Sequence, residues 1–263
     1  MAPMKKKLFT RKNIAKTFGS ASQSYDVSAR LQRFSGKYLM PWLPEQKELT
    51  VLDLGSGTGF FTDVLASTYQ RVIGLDISTE MLRFAKENRN EKITWVEGDA
   101  HNIPLQNDSV DFIYSNLVIQ WFDPLDVAIK EIIRVLKPGG SLIFTTLIDG
   151  TLHELKSSWR QVDDDQHVID FKTIAQLNAK FNGENFTLSE QKCQDIVLEY
   201  ENVIHLAREL KGLGASHLAE KKNRGLSGKD KWNQMITSYQ DFLEPSGIYP
   251  ATYCLFSGLV VKQ

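Results

Sequence analysis

Cysteine is scarce in this chain of 263 residues: only Cys193 and Cys254 occur, 61 positions apart. Two such distant thiols do not build a disulfide framework, and no cysteine or histidine stands at zinc-site spacing from another. The five histidines, His101, His153, His167, His205 and His217, are scattered and form no spaced ligand set, so no metal is expected. A run of about 18 apolar residues is also missing, which excludes a membrane-spanning helix as an expectation. Charge of one sign is not in excess: 31 Lys and Arg face 32 Asp and Glu, for a net charge of −1. That balance leaves no footprint for nucleic acid, and the basic stretch over residues 208–231 lacks interleaved aromatics beyond the adjoining Trp232. The opening residues MAPMKKKLFTRKNIAK are charged but carry no apolar segment of the secretory kind. A cytoplasmic protein is expected.

What is present is alternation. Hydrophobic residues make up 42% of the chain, enough for one sizeable core. Residues 1–19 read as a basic arm leading into a helix, and residues 24–43 as an amphipathic helix ended by Pro41 and Pro44. Short apolar segments then alternate with helical ones. LTVLDLG, QRVIGLDI, KITWVEGDA, VDFIYSNLVI and SLIFTTL read as strands, and GFFTDVLASTY, TEMLRFAKENR (capped by Ser78) and DVAIKEIIRVL as helices. KPGG reads as a turn, with Pro138 presetting it and the glycines allowing positive φ. After Leu147 the pattern loosens. FTLSEQKCQDIVLEY reads as a sixth strand and TYCLFSGLVVKQ as a last one, with helical segments between and before them. The expectation is an α/β fold: a doubly wound, mostly parallel seven-stranded sheet with a helical cap. Residues 1–44 form the arm and first helices, 45–150 the ligand-binding core, 151–200 a lid segment with a helix and the sixth strand, 201–245 the cap, and 246–263 the final strand.

VLDLGSGTGFF holds the first chemical signal. Gly55, Gly57 and Gly59 alternate directly after a strand, where backbone must pass close to a ligand and turn into a helix. A dinucleotide loop would read G-x-G-x-x-G, but Phe60 occupies the third-glycine position. Asp53, two residues before the loop, suits an ammonium group. Asp76 ends the next strand and can accept from ribose hydroxyls. Asp99 ends the third strand and can take an adenine amino group. Amine, ribose and adenine together describe S-adenosyl-L-methionine.

In VLDLGSGTG, GLDIS, EGDA and RVLKPGG, spanning roughly residues 45–150, the chain resembles the class I S-adenosylmethionine-dependent methyltransferases, which have a Rossmann-like sheet. The resemblance implies cofactor contacts from Gly55, Ser56, Gly57 and Gly59, from Asp76 with Ile77 and Met81, from Asp99 with Ala100, and from Asn116. A cysteine is common in that class where Ser56 stands. TFGSASQSYDVSARLQR, SNLVIQWFDP, TLIDGTLHELKSSWRQVDDDQH, LKGLGASHL and YPATYCLFSG extend the likeness over nearly the whole chain. Together they resemble the malonyl-[acyl-carrier protein] O-methyltransferase family of biotin synthesis. That resemblance implies methylation of the free carboxylate of malonyl-loaded acyl carrier protein, with S-adenosyl-L-homocysteine as product, so that fatty-acid machinery can elongate the masked ester toward pimeloyl.

The chemistry needs no general base, because a carboxylate is already ionised at neutral pH. No Ser/His/Asp triad is expected; alignment of the reacting atoms and exclusion of water are. Tyr25 is expected to close over the cofactor. Gln120, Trp121, His153, Trp159, His217 and Arg33 are candidates for the acceptor. Residues 208–231 hold seven basic residues against three acidic ones. Arg208, Lys211, Lys221, Lys222 and Arg224 are therefore candidates for docking an acidic carrier protein. Two other readings use the same loop: methylation of a free small-molecule acid, and a non-catalytic module that binds S-adenosylmethionine.

Overall fold

The computed structural model describes residues 11–20, 25–26, 29–213 and 226–263. Seven strands, β1 (Thr50–Leu54), β2 (Arg71–Asp76), β3 (Thr94–Glu97), β4 (Val110–Asn116), β5 (Leu136–Leu147), β6 (Phe186–Tyr200) and β7 (Tyr249–Lys262), lie in one sheet. Their order is β3-β2-β1-β4-β5-β7-β6. The first five pair in parallel. β7 runs against both of its neighbours, so it slots between β5 and β6 as the single reversed strand. The chain starts at β1, winds outward through β2 and β3, then returns to place β4 on the other side of β1. That reversal opens a crevice at the carboxyl ends of β1 and β4, where α/β sheets bind ligands.

Alternation of side chains along the strands builds two cores from one sheet. On one face, Ile113 of β4 and Leu142 and Phe144 of β5 meet Ile129, Ile132 and Val135 of helix α5 (Leu125–Val135) and Leu177 and Phe181 of α7 (Ile174–Phe181). The neighbours of those strand residues, Phe112, Tyr114 and Ile143, point the other way onto Leu39 of α2 (Arg30–Leu39) and Leu65 of α3 (Phe60–Ala66). A third cluster ties the cap to the ends of β6 and β7. It joins Leu155 and Trp159 of α6 (His153–Arg160), Leu206 and Leu210 of α8 (Val203–Gly212), and Met235 and Tyr239 of α9 (Leu226–Tyr239).

Local sequence sets the helix ends. Ser78 accepts the Met81 N–H and starts α4 (Thr79–Asn88). Thr173 and Gln176 form a reciprocal capping box on α7, and Asn202 caps α8. Two local expectations shift. The helix read over 24–43 is described only from Arg30 to Leu39, and Pro41 sits inside a following single turn (Met40–Trp42), where its missing N–H costs nothing. KPGG is not a free turn: it lies within β5, where the β4 register shifts and Gly139 takes φ 74°. The basic segment does become helical, as α1 (Arg11–Ser20).

Phe144 stacks between Phe181 and Phe256, with ring centroids 4.6 and 5.8 Å away. Phe144→Ala is expected to cost about 3–5 kcal/mol in urea unfolding. Phe34→Ala, at a ring that is 50% exposed, should stay within about 0.5 kcal/mol.

Candidate functional site

The glycine loop after β1 is fixed by the strand beside it. Gly55 and Ser56 both donate their backbone N–H to Leu75 O, at 2.8 and 2.9 Å. Gly57 N donates to Asp76 Oδ2 and Ser78 N to Asp76 Oδ1, each at 2.8 Å. One carboxylate thus clamps the loop of β1 to the start of α4. Burial pushes the Asp76 carboxyl up, while the N–H groups of Ser78, Gly57 and Ile77 pull it back. Gly55 takes φ 78°, and a Cβ there would stand 2.5 Å from Val118, so only glycine fits. At Gly57 the corresponding direction is open space.

Above this loop lies an open cavity. Of the residues expected at a cofactor, Tyr25, Gly55, Gly57, Asp76, Ile77, Met81, Asp99, Ala100 and Asn116 line it, and Trp121 joins them from the acceptor candidates. A smaller cavity shares Tyr25, Gly55, Gly57 and Asn116 with the first and adds Asp53, Ser56, Gln32 and Arg33. Among the described residues no Lys or Arg lines the larger cavity, and Asp76 and Asp99 contribute carboxylates. Such walls suit a neutral or cationic ligand and disfavour a pyrophosphate.

Several expected contacts take different form. Asp53 is only 3% exposed and accepts from Thr62 Oγ1 at 2.5 Å. It holds the first turn of α3 from beneath the loop, in the wall of the smaller cavity. Gly59 lines neither cavity; its missing side chain admits Trp95, which an added Cβ would meet at 2.4 Å. The Asn116 amide is already engaged. Its Oδ1 accepts from Ser35 Oγ and Thr145 Oγ1, each at 2.7 Å, and its Nδ2 donates to Gln32 O at 2.9 Å. It ties α2 to β4 and β5 across the crevice.

The acceptor candidates divide more sharply. Trp121 packs edge-on against Phe18, with centroids 5.5 Å apart, in the cavity wall. Gln120, one residue earlier, folds back: its Nε2 donates to Leu117 O at 2.6 Å and its Oε1 accepts from Thr146 Oγ1 at 3.0 Å. Trp159 is buried in the cap, stacked 3.7 Å from His167, and reaches neither cavity. His153 is exposed beside Phe242. Helical packing explains both: α6 turns its apolar face, Leu155 and Trp159, toward the cap core. Arg33 lines the smaller cavity, donating to Asp26 O and lying 5.3 Å over the Phe60 ring. Arg208 and Lys211 are exposed on α8. His217, Lys221, Lys222 and Arg224 lie outside the described residues.

Sequence reading missed part of the wall. Ala15 and Phe18 of α1 roof the larger cavity, and His101 and Phe122 close one end. The basic character of the arm hid its apolar residues. The roof is fastened through Asp26, which takes Thr58 Oγ1 at 2.5 Å and the Arg89 guanidinium. His167, read as isolated, lies 2.7 Å from Asp163, which also takes Lys231 at 2.7 Å; with Asp165 these groups lie within 4.8 Å of one another.

A family model described as a methyltransferase domain matches residues 52–144. The chain is 35% identical to the malonyl-[acyl-carrier protein] O-methyltransferase of Pectobacterium atrosepticum, over 97% of this chain and 98% of that one. It is 40% identical to the biotin biosynthesis bifunctional protein BioHC of Cellvibrio japonicus over 96% of its length, and spans 50% of that longer protein. The solved structure of the YcgJ protein from Bacillus subtilis matches with a TM-score of 0.60, over 88% of this chain and 97% of that one. At 21% identity that likeness shows the fold alone. Among the described residues, no helix is long and apolar enough to cross a membrane.

Burial pushes the Asp53 carboxyl from 3.8 up to about 7, against the Thr62 hydroxyl that favours ionisation. The folded chain therefore keeps a proton that the unfolded chain releases. The stability this proton contributes is complete below 3.8 and lost as pH rises through about 7. In urea unfolding, Asp53→Asn is expected to gain on the parent by a few kcal/mol between about pH 4 and 7. A difference independent of pH would contradict the assignment.

Proposed function

The chain belongs to the malonyl-[acyl-carrier protein] O-methyltransferase family, and from that premise we propose that the two joined cavities hold S-adenosyl-L-methionine for methylation of the malonyl carboxylate on acyl carrier protein. The observation that carries this reading is the polar state of the walls. Gln32 Oε1, Ser56 Oγ and His101 Nε2 are buried there without a hydrogen-bond partner. Unpaired buried polar atoms cost about 1–3 kcal/mol each, and a long ligand with polar groups at both ends would relieve them. Asp76 and Asp99 would face the nucleoside, and Arg33, Gln32 and Ser56 the amino-acid end. Arg33 is thus better placed for the cofactor's carboxylate than for the acceptor's.

When bound, this cofactor supplies an electrophilic methyl group and leaves as neutral S-adenosyl-L-homocysteine. The protein's own part is positional. The malonyl carboxylate is ionised at neutral pH, so no side chain needs to take its proton. Trp121, Phe18 and Tyr25 form an aromatic wall that excludes water from the reacting atoms. Burial raises the Tyr25 hydroxyl, with Asp76 and Asp26 adding to the shift, which keeps it a neutral donor beside the cavity. Asn116 fixes α2 relative to β4 and β5, which sets the distance across the crevice.

Docking of the carrier would use α8. Glu209 turns inward to Arg30 at 2.9 Å, while Arg208 and Lys211 remain exposed. The outward charge of this helix is therefore positive, complementary to an acidic carrier.

Incubation with S-adenosyl-L-methionine and malonyl-loaded carrier is expected to add one methylene mass, about 14 Da, removable by mild ester hydrolysis. An unchanged carrier mass, with cofactor binding intact, would refute the acceptor. The pair Arg208→Glu and Lys211→Glu should lower the initial rate on the carrier about tenfold and flatten its salt dependence. Binding of S-adenosyl-L-homocysteine should not change. An unaltered rate would remove α8 from the docking surface.

A further inference from the structure

His101 is a buried side chain that the proposed reaction does not use. It follows β3, and its side chain is only 4% exposed although it lines the larger cavity. Its orientation is fixed twice by one oxygen. Asp99 Oδ1 accepts the His101 backbone N–H at 2.9 Å and lies 2.8 Å from the ring Nδ1. An acceptor that already takes a backbone N–H takes the ring proton too, which places hydrogen on Nδ1. The ring stands edge-on to Phe122, with centroids 5.9 Å apart. Nε2 is left as a bare lone pair, buried and without a partner.

We propose that His101 is a specificity-determining residue whose Nε2 accepts a hydrogen bond from the exocyclic amine of a purine at the Gly98–His101 end of the cavity. The inference rests on the nucleoside reading of the site. Three observations favour an amine donor over a hydroxyl. The ribose-type acceptor, Asp76, sits one strand away and serves the glycine loop. Asp99 Oδ1 is already taken by His101 itself, so the carboxylate expected to read adenine acts partly through the imidazole. Gly98, Ala100 and Phe122 line the same cavity with flat or small surfaces suited to a purine.

The test compares binding of S-adenosylhomocysteine with S-inosylhomocysteine, whose purine carries a carbonyl oxygen in place of the amine. The parent is expected to prefer the adenosyl ligand, and His101→Phe to lose about tenfold of that preference, the worth of one hydrogen bond. His101→Gln, which restores an acceptor, should recover part of it. A nitrogen-15 spectrum of the imidazole supplies a readout that packing alone would not move. Nε2 is expected unprotonated in the free protein and shifted by the adenosyl ligand only. Unchanged preference in His101→Phe, or a protonated Nε2, overturns the proposal. Failure of the folded parent to bind either ligand overturns the nucleoside reading beneath it, and is told apart by that result.

Discussion

The Asp76 carboxylate is the constraint on which the site depends. It is the point where β2 ends, and it accepts N–H groups from both the loop after β1 and the cap of α4. A buried carboxylate without such donors would be strongly disfavoured. With them, it locks two independent chain segments at one distance from each other. The positive φ of Gly55, the close approach of Val118 and the open direction at Gly57 all follow from a loop held this tightly. The cavity is the space that clamp leaves.

The second level of organisation is the roof. Helix α1 and the Tyr25–Asp26 turn lie far from the sheet in sequence, yet Asp26 joins Thr58 on the glycine loop to Arg89 at the end of α4. The same elements that line the cavity therefore hold its cover. Asn116 does the equivalent work on the other side, with three hydrogen bonds to α2 and β5. An amide can serve as donor and acceptor at once, which is why Asn116 braces the wall while lining both cavities.

The cavity carboxylates and the cap core sit on different halves of the sheet. The parallel half of the sheet, β1 to β4, supplies every carboxylate of the cavities from strand β1, β2 or the segment after β3, apart from Asp26 of the roof. The reversed strand β7 and its partner β6 carry the cap, whose core holds Trp159, Leu206 and Tyr239. His153 of α6 lines neither cavity.

The sequence by itself determined the strand–helix alternation, the glycine loop and the positions of Asp76 and Asp99. Each depends on residues close together in the chain, where periodicity and backbone conformation leave a direct mark. The sixth and seventh strands were legible for the same reason. Tertiary structure alone decided which side chains face the cavity. Trp159 and Gln120 turned away because their neighbours in space, His167 and Thr146, offered better partners. Phe18 turned inward to pack on Trp121, and His101 is held in the wall by Asp99. Gln120 meets Thr146 at a separation of 26 residues, and Phe18 meets Trp121 across still more of the chain; no local pattern encodes contacts at such separations.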